Sequence, residues 1–103
     1  MKLVSVRIVP STKAGKKYMA IFTKENGSTK TTHFGAAGMN DYIVYHRQDS
    51  ELAEKRKRLY LNRHKNREDW GDGSSAGALS RWILWNLPSF HDSVADYKRR
   101  FNL

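Results

Sequence analysis

From Lys2 to Val9 polar and apolar residues alternate, with Val4, Val6 and Ile8 on one side, Ser5, Arg7 and Val9 on the other, and Leu3 out of phase. This period of two is the mark of a half-buried strand. Pro10 to Gly15 interrupts the pattern, and Lys17 to Lys24 resumes it. Tyr18, Ala20 and Phe22 then share one face and Met19, Ile21 and Thr23 the other, which predicts a second strand apolar enough to be covered on both faces. The Glu25–Ser28 run contains Asn26-Gly27, a strong hairpin signal because both central residues of the favoured turn need positive φ. Thr29 to Phe34 returns as a third strand, so the first third of the chain predicts an antiparallel meander.

The pattern changes at Gly35. Gly35 to Tyr42 is rich in small residues and reads as a loop, and Ile43 to Tyr45 fits a short strand or an ordered loop equally well. Leu52, Ala53, Leu59, Tyr60 and Leu61, with no Gly or Pro until Gly71, predict a helix capped by Asp49 or Ser50. Trp70 to Ser75 is a loop. Ala76 to Asn86 predicts a second helix in which Leu79, Trp82, Ile83, Leu84 and Trp85 leave almost no polar face, so it should be buried, with Arg81 and Asn86 in need of partners. Pro88 stops it. Ser89 and Asp92 have capping-box spacing, and Phe90, Val94, Tyr97 and Phe101 line one stripe of a last helix. The expected fold is α+β, a three-stranded antiparallel meander packed against about three C-terminal helices. Residues 1–103 suffice for one core, since a domain of this size buries roughly two-thirds of its unfolded surface.

Composition sharpens this picture. Leu, Ile, Val and Phe supply only 21 of 103 residues, near the level at which charged chains stay disordered, so the three Trp and five Tyr must do much of the packing. The absence of cysteine excludes disulfides, zinc ribbons and thiol nucleophiles. No apolar run approaches the ~20 residues of a membrane span, and the N-terminus lacks a secretory cleavage pattern, so neither membrane insertion nor secretion is expected.

Charge points to a partner. Nineteen Lys and Arg against ten Asp and Glu leave +9, with mean hydropathy −0.75. Lys55, Arg56, Lys57, Arg58, Arg63, Lys65 and Arg67 lie in a stretch with no acid, interleaved with Tyr60, His64 and Trp70, whereas Asp49, Glu51 and Glu54 sit where the helix dipole favours negative charge. Such a run is either a solvated helix face or a surface for a polyanion, whose counterions are released on binding. The acid-free stretch and the total charge favour the polyanion. Helical spacing puts Arg56 and Arg63 roughly on one side with Leu59 while Lys57, Arg58 and Lys65 point elsewhere, so the cations should wrap around the helix. Lys16 and Lys17, with Lys13, form a second basic zone, and Lys98, Arg99 and Arg100 a third. If the zones converge, duplex DNA is the natural ligand, ahead of RNA.

Gly35, Gly38 and Asn40 lie in a loop that could cradle a phosphate with backbone N–H groups, although a tight exit from the sheet explains the glycines more simply and no nucleotide fingerprint is present. His33, Asp41, His46, His64 and His91 with Asp92 are the candidates for acid–base or metal chemistry, but the histidines lack helical metal-site spacing and G-x-S-x-G is absent. No catalytic role, cofactor or metal is expected. Trp82 and Trp85 could stack on bases, but a chain short of aliphatics needs them in its core.

Three motifs carry a resemblance: T-x-H-F-G-A-A-G-M-N-D-Y at Thr31 to Tyr42, Y-L-N-R-H-K-N-R-E-D-W at Tyr60 to Trp70, and A-G-A-L-S-R-W-I-L-W-N from Ala76, followed by D-Y-K-R-R-F from Asp96. Together they resemble small basic proteins encoded by large double-stranded DNA viruses of algae and protists. That resemblance implies a viral protein, packaged in the virion or acting in the cytoplasm or nucleus of the infected cell, with other virion proteins as further partners. It implies either a nucleic-acid-binding role in genome packaging or, alternatively, a minor capsid role, and it transfers no catalytic residues.

Overall fold

The computed structural model describes residues 2–103. Strands β1 (Leu3–Pro10), β2 (Lys16–Lys24) and β3 (Thr29–Ala36) form an antiparallel sheet in the order β1-β2-β3. They are followed by α1 (Tyr42–Gln48), α2 (Ser50–His64), α3 (Ala76–Leu79), a π-helical turn (Ser80–Leu84) and α4 (Phe90–Phe101). The fold is α+β, as the alternation and helical stripes predict.

One face of the sheet meets the C-terminal helices. Val6, Ala20, Phe22 and Phe34 pack with Leu79, Ile83, Leu84 and Tyr97 in a single buried cluster. A register shift between Leu3 and Ser5 corrects the expected phase of β1. Leu3 joins Ile8 at the edge of the core, while Val4 is turned out and is 46% exposed. An extra residue in one strand of a pair reverses the facing of what precedes it. The opposite face carries the rows Arg7, Ile21, Thr31 and Val9, Met19, His33. Being on the side away from the core, Met19 and Ile21 stay half-buried, so β2 is fully covered on one face only.

The stretch from Ile43 to Tyr45 is helical. Asp41 caps α1 by accepting from Val44 N at 3.1 Å, and Asp49 both closes α1 through its N–H to Tyr45 O and caps α2 by accepting from Glu51 and Leu52. α2 stops at His64, short of Gly71, and turns carry the chain to Ser75. The helix expected over residues 76–86 begins at Ser75, whose Oγ accepts from Ala78 N, then widens into the π turn closed by Trp85 N to Ser80 O at 3.0 Å. The expectation of burial all round holds for Ile83 and Leu84, whereas Trp82 and Trp85 are half-buried at the margin of the core. Ser89 caps α4 by accepting from Asp92 N, and Asn102 ends it in the left-handed region at φ 56°.

α1 and α2 pack mainly on each other, and the molecule is elongated, 45 × 26 × 24 Å. Side chains tie this hairpin to the rest, chiefly Tyr60 against Trp85 and Lys57 to the Asn86 carbonyl. Among the described residues no helix is long and apolar enough to cross a membrane.

Candidate nucleic-acid interface

α2 turns one flank inward, where Ala53 is buried and Lys57, Tyr60 and His64 are half-buried. At 3.6 residues per turn this leaves Lys55, Arg58 and Lys65 on one side of the outer face and Arg56 and Arg63 on the other. All five are exposed, as is Arg67 just beyond the helix, and none of the six has an ion-pair partner among the described residues. Leu59, 52% exposed, sits between the two rows. Arg56 also lies 5.5 Å from the centre of the Tyr45 ring.

Other basic residues singled out in the sequence are spent within the fold. Lys57 is half-buried, its Nζ donating to Asn86 O at 2.7 Å and lying 4.6 Å from the Tyr42 ring centre. Burial, reinforced by the nearby Arg81 charge, pulls its pKa below the ordinary lysine value. Lys57 is therefore a tie between α2 and the chain after the π turn, not a free contact for a polyanion. Lys17 Nζ lies 2.7 Å from Asp41 Oδ2, so its charge is balanced locally. His64 Nδ1 is 2.6 Å from Glu68 Oε1, its ring stacked on Tyr60 at 4.3 Å, and the other Glu68 oxygen accepts from Trp70 Nε1.

The C-terminal zone is divided in the same way. Arg99 and Arg100 both lean on Asp96, at 3.7 and 3.4 Å, and the Arg100 guanidinium lies 3.6 Å over the Trp82 ring. Arg81, between Trp70 and Trp82, donates from Nη1 to Trp85 O at 2.9 Å, and burial lowers its pKa with the Arg100 charge contributing. Asn86, the other polar position of that segment, donates to Asp96 at 2.7 Å. Lys98 and Arg99 line a groove with Lys2, apart from the α2 surface.

Lys16 does converge with α2. It lines a cleft of about 350 Å³ together with Gly35, Asn40, Arg63, His64 and Ser80. Glu68 and Ser80 belong to this site and went unnoticed in the sequence, although the four-residue spacing of His64 and Glu68 was a legible signal.

Gly35 and Gly38 take positive φ, +80° and +83°. Gly35 lies within β3, not in the loop, and a Cβ there would meet Leu84 Cδ1 at 2.8 Å, so its smallness lets the sheet approach the π turn. In the loop itself Ala37 N donates to Gly15 O and Met39 N to Ala36 O, which removes two amides from any anion cradle. The histidines are dispersed. His33 bonds Ser11 at 2.7 Å, His46 packs near Tyr42 and His91 faces Asp92, and among the described residues no group of three or more His, Asp or Glu is placed to hold a metal.

A family model matches residues 6–64, more than half of the chain. The chain belongs to DUF5754, a family of unknown function. The DUF5754 match takes in most of the sheet and the α1–α2 hairpin, including Arg56, Arg58 and Arg63, and stops where α2 ends. Leu79, Ile83 and Tyr97, which complete the core beneath that sheet, lie outside it. No curated protein and no solved structure matches the chain.

Proposed function

We propose that this chain binds nucleic acid, duplex DNA before RNA, by contacting the phosphate backbone without reading sequence. The observation that carries this is the set of unpaired exposed cations on α2 and its extension, Lys55, Arg56, Arg58, Arg63, Lys65 and Arg67, joined across the cleft by Lys16. Cations already paired with carboxylates would gain little from a phosphate, and these have none to lose. Each neutralised phosphate releases condensed counterions, so a cluster of this size supplies strong binding at low salt without base contacts. The reading requires no bond to be made or broken.

The resemblance to proteins of large double-stranded DNA viruses adds a setting, in which small basic proteins offset genome charge inside a particle. Leu59 supports a second reading. A large apolar side chain 52% exposed amid cations suits a virion protein docked through α2. A gel-shift titration with duplex DNA at two salt concentrations tests the first reading. Binding that weakens sharply with salt and is indifferent to Leu59→Ser supports it, and binding that salt leaves unchanged contradicts it.

A further inference from the structure

We infer that the cleft between the end of the sheet and α2 holds one unpaired nucleotide of the bound nucleic acid, its phosphate on Lys16 and Arg63 and its base against Met39 and the half-buried Trp85. The inference rests on the nucleic-acid reading above and gives it a ligand for a specific place.

Charge at the cleft is arranged in two tiers. Lys17 is balanced by Asp41 at 2.7 Å and His64 by Glu68 at 2.6 Å, while Lys16 and Arg63 are exposed and unpaired among the described residues. An anion therefore finds its attraction at these two side chains, and the internal pairs remain as polar walls. The cavity behind them, about 350 Å³, falls at the small end of the ~300–1,000 Å³ typical of small-ligand sites. Its lining is mixed. Met39, Tyr60 and Trp85 offer apolar surface, Phe34 and Leu84 being buried, and Asn40 and Ser80 offer hydrogen-bonding groups for a base edge.

A free phosphate or an acidic side chain would satisfy the two cations but leave the apolar wall against water. A nucleotide fills both parts. Continuity with α2 strengthens the assignment, because Arg63 belongs at once to the exposed row on that helix and to the cleft. A backbone following the helix passes the opening, and Met39, 66% exposed, supplies an adaptable apolar lip there. Paired bases cannot enter, whereas a single strand or a frayed end can.

The test uses a 5′-phosphorylated oligothymidylate of about a dozen nucleotides and a blunt duplex of equal length. Ala36→Trp and Ala76→Trp each place an indole in the opening from an exposed position, one on β3 and one on α3, and leave every cation in place. With circular dichroism and Tm unchanged in at least one of them, that variant should weaken single-strand binding about tenfold and duplex binding less than about twofold. Unaltered single-strand affinity, or equal loss for both ligands, overturns the inference. Wild-type protein that ignores the duplex at low salt but binds the oligothymidylate, and loses it on Ala36→Trp, would overturn the duplex reading while upholding the cleft.

Discussion

Tyr60 of α2 and Trp85 at the end of the π turn stack face to face, ring centroids 4.4 Å apart and planes within 4° of parallel. The stack continues through His64 on one side and approaches Tyr45 on the other, so an aromatic row joins the α1–α2 hairpin to the helical layer over the sheet. Few backbone contacts make this connection. Trp85→Ala should cost about 3 kcal/mol, at the lower end for tryptophan truncation because the ring is half-buried, as read by denaturant unfolding. Amide exchange in α2 should rise more than in β2, and uniform loosening would show that the row is not the joint.

Lys57 and Arg58 are neighbours with opposite roles. Removing the Lys57 bond to the Asn86 carbonyl leaves a half-buried acceptor unpaired, so Lys57→Met should lower stability by about 1–2 kcal/mol. Arg58→Gln should leave Tm unchanged and weaken DNA binding. The reverse result, stability lost at Arg58 and affinity at Lys57, would mean that the inner and outer faces of α2 have been exchanged.

Gly35→Ala combines a strained positive φ with a Cβ 2.8 Å from Leu84. The loss should be about 2–3 kcal/mol, measured by thermal unfolding, with at most a small effect on DNA binding. A stable variant that had lost DNA binding would instead give Gly35 a ligand-facing role.

Three phenols resist ionisation. Burial, aided by the hydrogen bond to Glu54, pushes Tyr42 up to about 12, and burial raises Tyr60 and Tyr97 as well. A phenol that ionises later in the folded protein than in the unfolded chain, whose ordinary value is 10.0, supports the fold fully below that value. The support disappears as pH climbs through the folded pKa. Tm should hold steady to about pH 10 and fall steeply towards pH 12, with phenolate absorbance appearing alongside unfolding. Phenolate absorbance from all five tyrosines near pH 10 with Tm intact would refute it.

What could be read in advance followed the reach of each signal. Alternation along Val6 to Phe22 and the Asn26-Gly27 pair exposed the meander, because strand periodicity and hairpin chemistry are local. Of that pair, however, only Gly27 takes positive φ, +86°, and its N–H closes the turn on Lys24 O at 2.9 Å. The bulge at Val4 was hidden, since Leu3 and Val4 are both apolar and only the register with β2 decides which faces inward. α1 was hidden because seven residues make two turns, too few for a stripe, and its stability comes from Asp41 and Asp49 as caps. Total charge was visible, but its allocation was not. Lys17 finds Asp41 and Lys57 finds Asn86 across 24 and 29 positions, distances that no pattern of neighbours reveals.

The most direct measurement is the slope of log affinity for duplex DNA against log salt, in the wild type and in Arg56→Gln/Arg58→Gln/Arg63→Gln/Lys65→Gln, with Tm recorded for both. Contact with about five phosphates gives the wild type a slope of roughly −4 to −5, and the variant should flatten by roughly 3 to 4 at unchanged Tm. Equal slopes in the two proteins, or a Tm that collapses with the four charges, would contradict a phosphate-binding face on α2.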